Sequence, residues 1–225
     1  MSVFLKNLVE KAIIEAARLL KRDSQEIPFI IGEQRKELFI ERSFNKAYQT
    51  IHRYLTNSNS SYGFILKDKI IKETENDSYW LIDPIDVVEN FSNGLPFWGT
   101  TVALGKKTGS GYVFECVFFY MPIFDEMFVV KANEGAFLNK SKLNLKEKKH
   151  YFLTAGPNLK RNLGSNLAHI FYCACSKFSL VVLKNDNNYE EAVAKLLMNE
   201  ICGELKQEKD RIIIGSSYAL KVFLN

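Results

Sequence analysis

Cysteine, proline and histidine are scarce in this 225-residue chain, with four Cys, five Pro and three His. The cysteines stand at 116, 173, 175 and 202, with no CxxC pair and no Cys/His cluster. That excludes a zinc module and gives no disulfide framework. Thiols left unpaired suit a reducing compartment, so the expected location is the cytoplasm. Long hydrophobic runs are missing too: the longest apolar tract, Tyr112 to Phe124, is too short to span a bilayer and contains Glu115. The opening residues Met1-Ser2-Val3-Phe4-Leu5-Lys6 run into an amphipathic pattern instead of a signal-peptide core, so no membrane contact is expected. No internal repeat or low-complexity linker occurs. One domain is therefore expected over residues 1–225, with lobes of about 1–140 and 141–225.

Charge is nearly balanced, at a net +4, with 47% apolar and 25% charged side chains. That is ordinary for a globular chain of one sizeable core or two joined lobes. Basic clusters lie at Lys140–Lys149 and around Lys21-Arg22, and they read as solvated loops and helix faces. No RNP, helix-turn-helix or KH pattern turns them into a nucleic-acid interface.

Periodicity divides the chain into helical and extended stretches. Leu5, Leu8, Val9, Ala12, Ile13, Ala16, Leu19 and Leu20 fall at helical spacing, with a break expected from Asp23 to Pro28. A second helix is expected from about Glu33 to Leu55. Strands follow at Gly63–Leu66, Tyr79–Ile82, Thr100–Gly105, Tyr112–Tyr120 and Met127–Lys131, with a hairpin turn at Lys106–Gly111. Helices near Ser165–Ser176 and Tyr189–Glu200 then alternate with strands at Phe178–Leu183 and Arg211–Gly215. The Tyr112–Phe124 tract suits either a central strand or a subunit interface.

The densest chemistry lies in Trp80-Leu81-Ile82-Asp83-Pro84-Ile85-Asp86, followed by Asn90-Phe91. Proline fixes φ and cannot donate to a strand ladder, so Pro84 ends the apolar strand before it. Two carboxylates three residues apart then sit at the strand's mouth, an oxygen pair suited to Mg²⁺. The same two aspartates also suit a turn and a helix cap.

This stretch resembles the signature of the inositol monophosphatase family, W-[IV]-[IV]-D-P-[IL]-D-G-T-x-N-F. Gly94-Leu95-Pro96-Phe97, Glu134-Gly135-Ala136-Phe137-Leu138-Asn139, and Arg161 with Gly164 and Ser165 match further family segments in order. Tyr189-Glu190-Glu191-Ala192, with Glu200 and Gly203, matches W-D-x-A…E-A-G-G in weakened form. The resemblance runs from about Leu20 to Phe223. It implies a mixed α/β (α+β) fold, a layered α-β-α-β-α sandwich, and a homodimer. It also implies Mg²⁺-dependent hydrolysis of inositol phosphates or similar small phosphorylated substrates.

Carried over residue by residue, the resemblance makes Asp83 and Asp86 catalytic. It makes Asp83, the Ile85 carbonyl, Asp86 and Glu190 metal ligands, and Asp86, Gly164, Ser165 and Glu190 substrate contacts. Several positions depart from the pattern. Lys67 replaces the metal-binding Glu of the G-F-[IL]-x-E-E strand, with Asp68 after it. Val87 and Val88 replace Gly-Thr, Glu190 replaces Asp, and Leu183 stands where a substrate-contacting Glu falls. His169 occupies a position where relatives often carry Asp. The D-x-V-[TS]-x-x-D motif aligns with Leu38–Phe44, which has neither aspartate. An ammonium in place of a carboxylate removes a ligand, and two unit charges ~4 Å apart repel by about 4 kcal/mol at an effective dielectric of 20. The expectation is a degenerate metal site with weak or lost activity, a pseudoenzyme by descent. The alternative is a non-catalytic role, since some family members join transcription antitermination and ribosomal-RNA maturation with RNA polymerase and Nus-type factors.

Overall fold

The structure is a computed structural model and describes residues 2–57, 61–67, 69–74, 77–109, 111–146, 153–156 and 158–224. Two long helices come first, α1 (Val3–Glu26) and α2 (Glu33–Thr56). Ser2 caps α1 by accepting from the Leu5 N–H at 3.2 Å. The apolar spacing then buries Val9, Ala12, Ile13, Ala16 and Leu20 completely. The break expected from Asp23 to Pro28 falls at the far end of that range, after Glu26. Asp23 and Ser24 remain helical and only 4% and 5% exposed. Their polarity is absorbed where α1 packs on α2, because Ser43 Oγ donates to Asp23 Oδ2 at 2.8 Å and Ser24 Oγ donates to the Lys21 carbonyl. The chain turns only at Ile27–Phe29, a 3₁₀ turn that contains Pro28.

The chain divides into two compact units, Met1–Lys106 with Phe118–Met127, and Lys107–Val117 with Phe128–Asn225. The strands are β1 (Gly63–Leu66), β2 (Lys69–Lys72), β3 (Ser78–Asp83), β4 (Thr100–Thr108), β5 (Gly111–Met121), β6 (Glu126–Lys131), β7 (Gly135–Leu138) and β8 (Ser141–Lys142). They join one sheet in the order β2-β1-β3-β4-β5-β6-β7-β8. Tyr112–Met121 of the long apolar tract lies in β5, between β4 and β6. The hairpin before it is tighter than expected, with strand pairing reaching Thr108 and resuming at Gly111.

Within the first unit, β1 runs parallel to β3, with Gly63 opposite Tyr79 and Leu66 opposite Ile82. β4 lies antiparallel on the other side of β3, with Thr101 opposite Asp83. Gly63 is required by space: a Cβ there would stand 2.5 Å from the Lys72 carbonyl and 2.6 Å from the Tyr79 ring. A short helix, α3 (Val88–Ser92), follows β3.

The second unit carries a four-stranded sheet in the order β11-β12-β10-β9. Its elements are β9 (Thr154–Ala155), α4 (Asn166–Ala174), β10 (Leu180–Lys184), α5 (Asn188–Glu200), β11 (Glu204–Gln207), β12 (Arg211–Gly215) and α6 (Ser217–Leu224). Strand alternation sends Leu180, Val182 and Ile213 to one face, where they pack with Ala219, Leu220 and Phe223 of α6. The opposite face, with Val181, Leu183, Ile212 and Ile214, meets α4 and α5. Part of the Lys140–Lys149 cluster falls outside the described residues. No described helix is long and apolar enough to cross a membrane.

His169 on α4 is fully buried, and its Nε2 accepts from the Leu163 N–H at 2.9 Å. Nε2 must stay unprotonated to accept, and burial pushes the imidazole down to about 4. It serves structure as a neutral acceptor and not as a base.

Two stability measurements check these packing accounts. Ser43→Ala removes the partner of Asp23 Oδ2, leaving the buried carboxylate only the Arg22 guanidinium on Oδ1, and should cost about 1–3 kcal/mol in urea unfolding, whereas Thr50→Ala, whose hydroxyl bonds an exposed helix carbonyl, should cost under about 1 kcal/mol. His169 binds a proton more readily unfolded than folded, so its contribution is complete above about pH 6.5. That contribution is lost as pH falls towards 4, at about 1.4 kcal/mol per pH unit. His169→Gln should flatten that slope in unfolding curves taken between the two pH values.

Candidate functional site

The paired aspartates lie where β3 ends, at the C-terminal edge of the parallel β1/β3 pair. Open α/β sheets commonly bind ligands at such edges. Asp83 is half-buried and its Oδ1 accepts from the Ile85 N–H at 3.2 Å, an Asx turn that folds the loop back on itself. Ile85 is fully buried. The Asp86 N–H donates to the Gly99 carbonyl at 2.9 Å, and Thr100 Oγ1 donates to the Pro84 carbonyl at 2.9 Å. Three bonds therefore fix the loop before any ligand arrives. One of the two open readings of the aspartates is settled in part: Asp83 makes a turn bond, but Asp86 is not a helix cap. Val87 holds that position at α3 and gives no side-chain capping bond.

The rest of the motif is structural. Asn90 is 6% exposed and its amide donates to the Phe97 carbonyl, while its own carbonyl receives the Leu95 N–H at 2.9 Å. Phe91 meets Trp98 edge-on at 5.0 Å between ring centroids. Asn90-Phe91 and Gly94-Leu95-Pro96-Phe97 are thus two halves of one clasp.

Lys67 follows β1 with φ at 53°, and its N–H donates to the Ile82 carbonyl at 3.1 Å. That bond ties its backbone to the end of β3, one residue beyond the last β1/β3 pair, Leu66 opposite Ile82. Its ammonium sits over the Phe44 ring of α2, 5.2 Å from the centroid, and is exposed to solvent. Among the described residues, no carboxylate lies within ion-pair distance of it. Asp68 lies outside the described residues.

In the second unit, Gly164, Ser165 and Glu190 come together around the first turns of α4 and α5. Gly164 has φ at +78° and its N–H donates to Asn162 Oδ1. Ser165 is fully buried and caps α4, its Oγ accepting from the Ala168 N–H at 3.0 Å. Asn187 caps α5. Glu190 Oε2 accepts from Asn166 Nδ2 at 2.7 Å, which ties the two helix starts together. Tyr189, in place of the motif's Trp, packs edge-on against Phe114 at 5.5 Å. Leu183 is 1% exposed and belongs to the core. Glu200 accepts from the N–H groups of Asn133 and Gly135 at 2.7 and 2.8 Å, holding the turn before β7. Asn166 was missed in the sequence; an amide just inside a capped helix start was the available signal.

Among the described residues, no three His, Cys, Asp or Glu side chains converge on a point suited to a metal ion. One acidic position of the motif is Lys67, another oxygen is committed to the Asx turn, and Glu190 is engaged by Asn166.

The backbone nevertheless has clear relatives. The inositol monophosphatase family model matches residues 5–218. Inositol-1-monophosphatase from Mesorhizobium japonicum is 27% identical over 143 residues, 63% of this chain and 52% of that protein. Nus factor SuhB from Haemophilus influenzae is 34% identical over 79 residues, 35% of this chain and 28% of that protein. The crystal structure of extragenic suppressor protein SuhB from Bartonella henselae aligns with a TM-score of 0.76 at 22% identity, covering 97% of each chain. The match spans about half the length of the inositol-1-monophosphatase and under a third of the Nus factor SuhB. The fold is shared throughout and the family model reaches across both units, so this chain belongs to the inositol monophosphatase family.

Proposed function

We propose that this chain is a phosphomonoesterase by descent, acting on inositol phosphates or similar small phosphates only weakly or not at all. The observation that carries the reading is Lys67, which follows β1 where the family motif has a metal-binding carboxylate and holds its ammonium over the Phe44 ring. Asp83 and Asp86 remain as a Mg²⁺-type pair, with the Ile85 carbonyl between them. Glu190 is a third candidate donor, one methylene longer than the motif's Asp. Val87 and Val88 supply no hydroxyl to orient water. Each lost electrostatic contact typically lowers a rate by ~10²–10³. Losses at groups that act as a unit are strongly non-additive. The reading carries with it a homodimer, Mg²⁺ as the cation and a cytoplasmic location.

A second reading rests on the relatives named Nus factor SuhB. On it, the chain serves as a partner of the transcription machinery, without catalysis. It would co-purify with RNA polymerase or a Nus-type factor, and a tagged protein that captures neither from its native cells argues against it.

The catalytic reading is tested by phosphate release from inositol 1-phosphate at saturating Mg²⁺ or Mn²⁺. Wild type should stay close to the Asp83→Asn background, and Lys67→Glu should raise release at least about tenfold by returning a carboxylate. Asp83-dependent turnover by the wild type near an ordinary enzymatic rate of about 10 s⁻¹ would sink the reading.

A further inference from the structure

The second unit holds a cavity of about 640 Å³ that no part of the proposed active site uses. Its size is typical of small-molecule pockets, which run to roughly 300–1,000 Å³. It opens beside α6, on the sheet face that carries Leu180, Val182 and Ile213. α6 is only eight residues long and covers one end of that face. Val182 is therefore left half-buried, although it sits in the central strand β10, whereas its neighbours Val181 and Leu183 are 0% and 1% exposed. Val182, Leu159 and Phe223 give the cavity an apolar wall.

The rim is unusual in its charge. Lys184 of β10 and Arg211 of β12 are direct cross-strand partners in an antiparallel pair. Alternation places both on the face of Val182 and Ile213, so two cations stand side by side. Like charges directly opposite one another destabilise a ladder. Lys209, from the turn before β12, adds a third cation to the same lining. Arg211 is braced by Glu208, but among the described residues Lys184 and Lys209 have no carboxylate within ion-pair distance. The lining also carries Asp186 and Asp210, acceptors suited to hydroxyl or amine groups, with Asn185 and Asn158 between.

We propose that this cavity binds a phosphomonoester carried on a planar ring, of the nucleoside monophosphate kind. The phosphate would lie between Lys184 and Arg211, where a bidentate guanidinium and a point charge complement a dianion. Its negative charge relieves the cross-strand repulsion. The ring packs on Phe223, Leu159 and Val182, and sugar hydroxyls donate to Asp186 or Asp210.

Titration calorimetry at low ionic strength tests this, with adenosine 5′-monophosphate as probe and the Asp83→Asn protein as host. That host suppresses turnover of the probe, and the dependence on Lys184 and Arg211 separates this cavity from the proposed active site. The expected result is saturable binding, with adenosine and inorganic phosphate each at least about tenfold weaker because each lacks half the ligand. Lys184→Gln, an exposed change that leaves the fold intact, should weaken the nucleotide about tenfold. Phe223→Ala should weaken it while leaving inorganic phosphate unaffected. No saturable binding into the millimolar range overturns the proposal. So does binding that Lys184→Gln and Arg211→Gln together leave unchanged, or inorganic phosphate binding as tightly as the nucleotide.

Discussion

The parallel ladder between β1 and β3, from Gly63 opposite Tyr79 to Leu66 opposite Ile82, sets what stands at the edge of the first unit. It brings the ends of β1 and β3 side by side, whatever residues stand there. The antiparallel ladder to β4 then delivers Thr100 to the Pro84 carbonyl. A slip of one residue in either ladder would turn every side chain to the other face. Gly63 guards the register, since any Cβ there meets the β2 backbone and the Tyr79 ring.

That scaffold is built from groups other than the motif positions this chain has substituted. The Asp83–Asp86 loop is held by backbone amides, Thr100 and its own Asx turn, and the clasp beyond it by Asn90, Phe91 and Trp98. Lys67, Val87 and Val88 contribute none of those side-chain bonds. The family backbone therefore tolerates a cation where the motif calls for a carboxylate, and fold and catalysis can part company. The second unit shows the same division. Ser165, Asn187 and Glu200 satisfy backbone donors that would otherwise be left without acceptors, and these are structural duties that survive any loss of activity.

Long periodic elements were legible in the sequence. α1, α2, β3, β5 and α5 all repeat an apolar spacing over enough residues for the period to declare itself. Short elements were not: β2, β7, β8, β9, β11, α3 and α6 each contain too few residues to show one, the strands existing because a neighbour satisfies their backbone and the helices because tertiary packing holds them. The end of α1 was legible only as the range Asp23 to Pro28, because Asp23 stays helical where Ser43, twenty residues away, and Arg22 engage its carboxylate. Asp86 looked like a cap, but Val87 fills that place, since capping depends on backbone angles at the loop and not on residue type alone.

By itself the sequence determined the family, the mixed α/β class and the order of the main elements. Those follow from motif spacing and hydrophobic period, which are properties of neighbours along the chain. It also determined which motif positions changed. Where Lys67 sends its ammonium was decided by tertiary structure, because Phe44 comes from a distant helix. So was the pairing of Glu190 with Asn166 across two helix starts. The meeting of Lys184 with Arg211 above an apolar wall required a strand register and a helix too short to cover the sheet. Contacts between residues far apart in the chain leave no period to read, and only the folded packing brings them together.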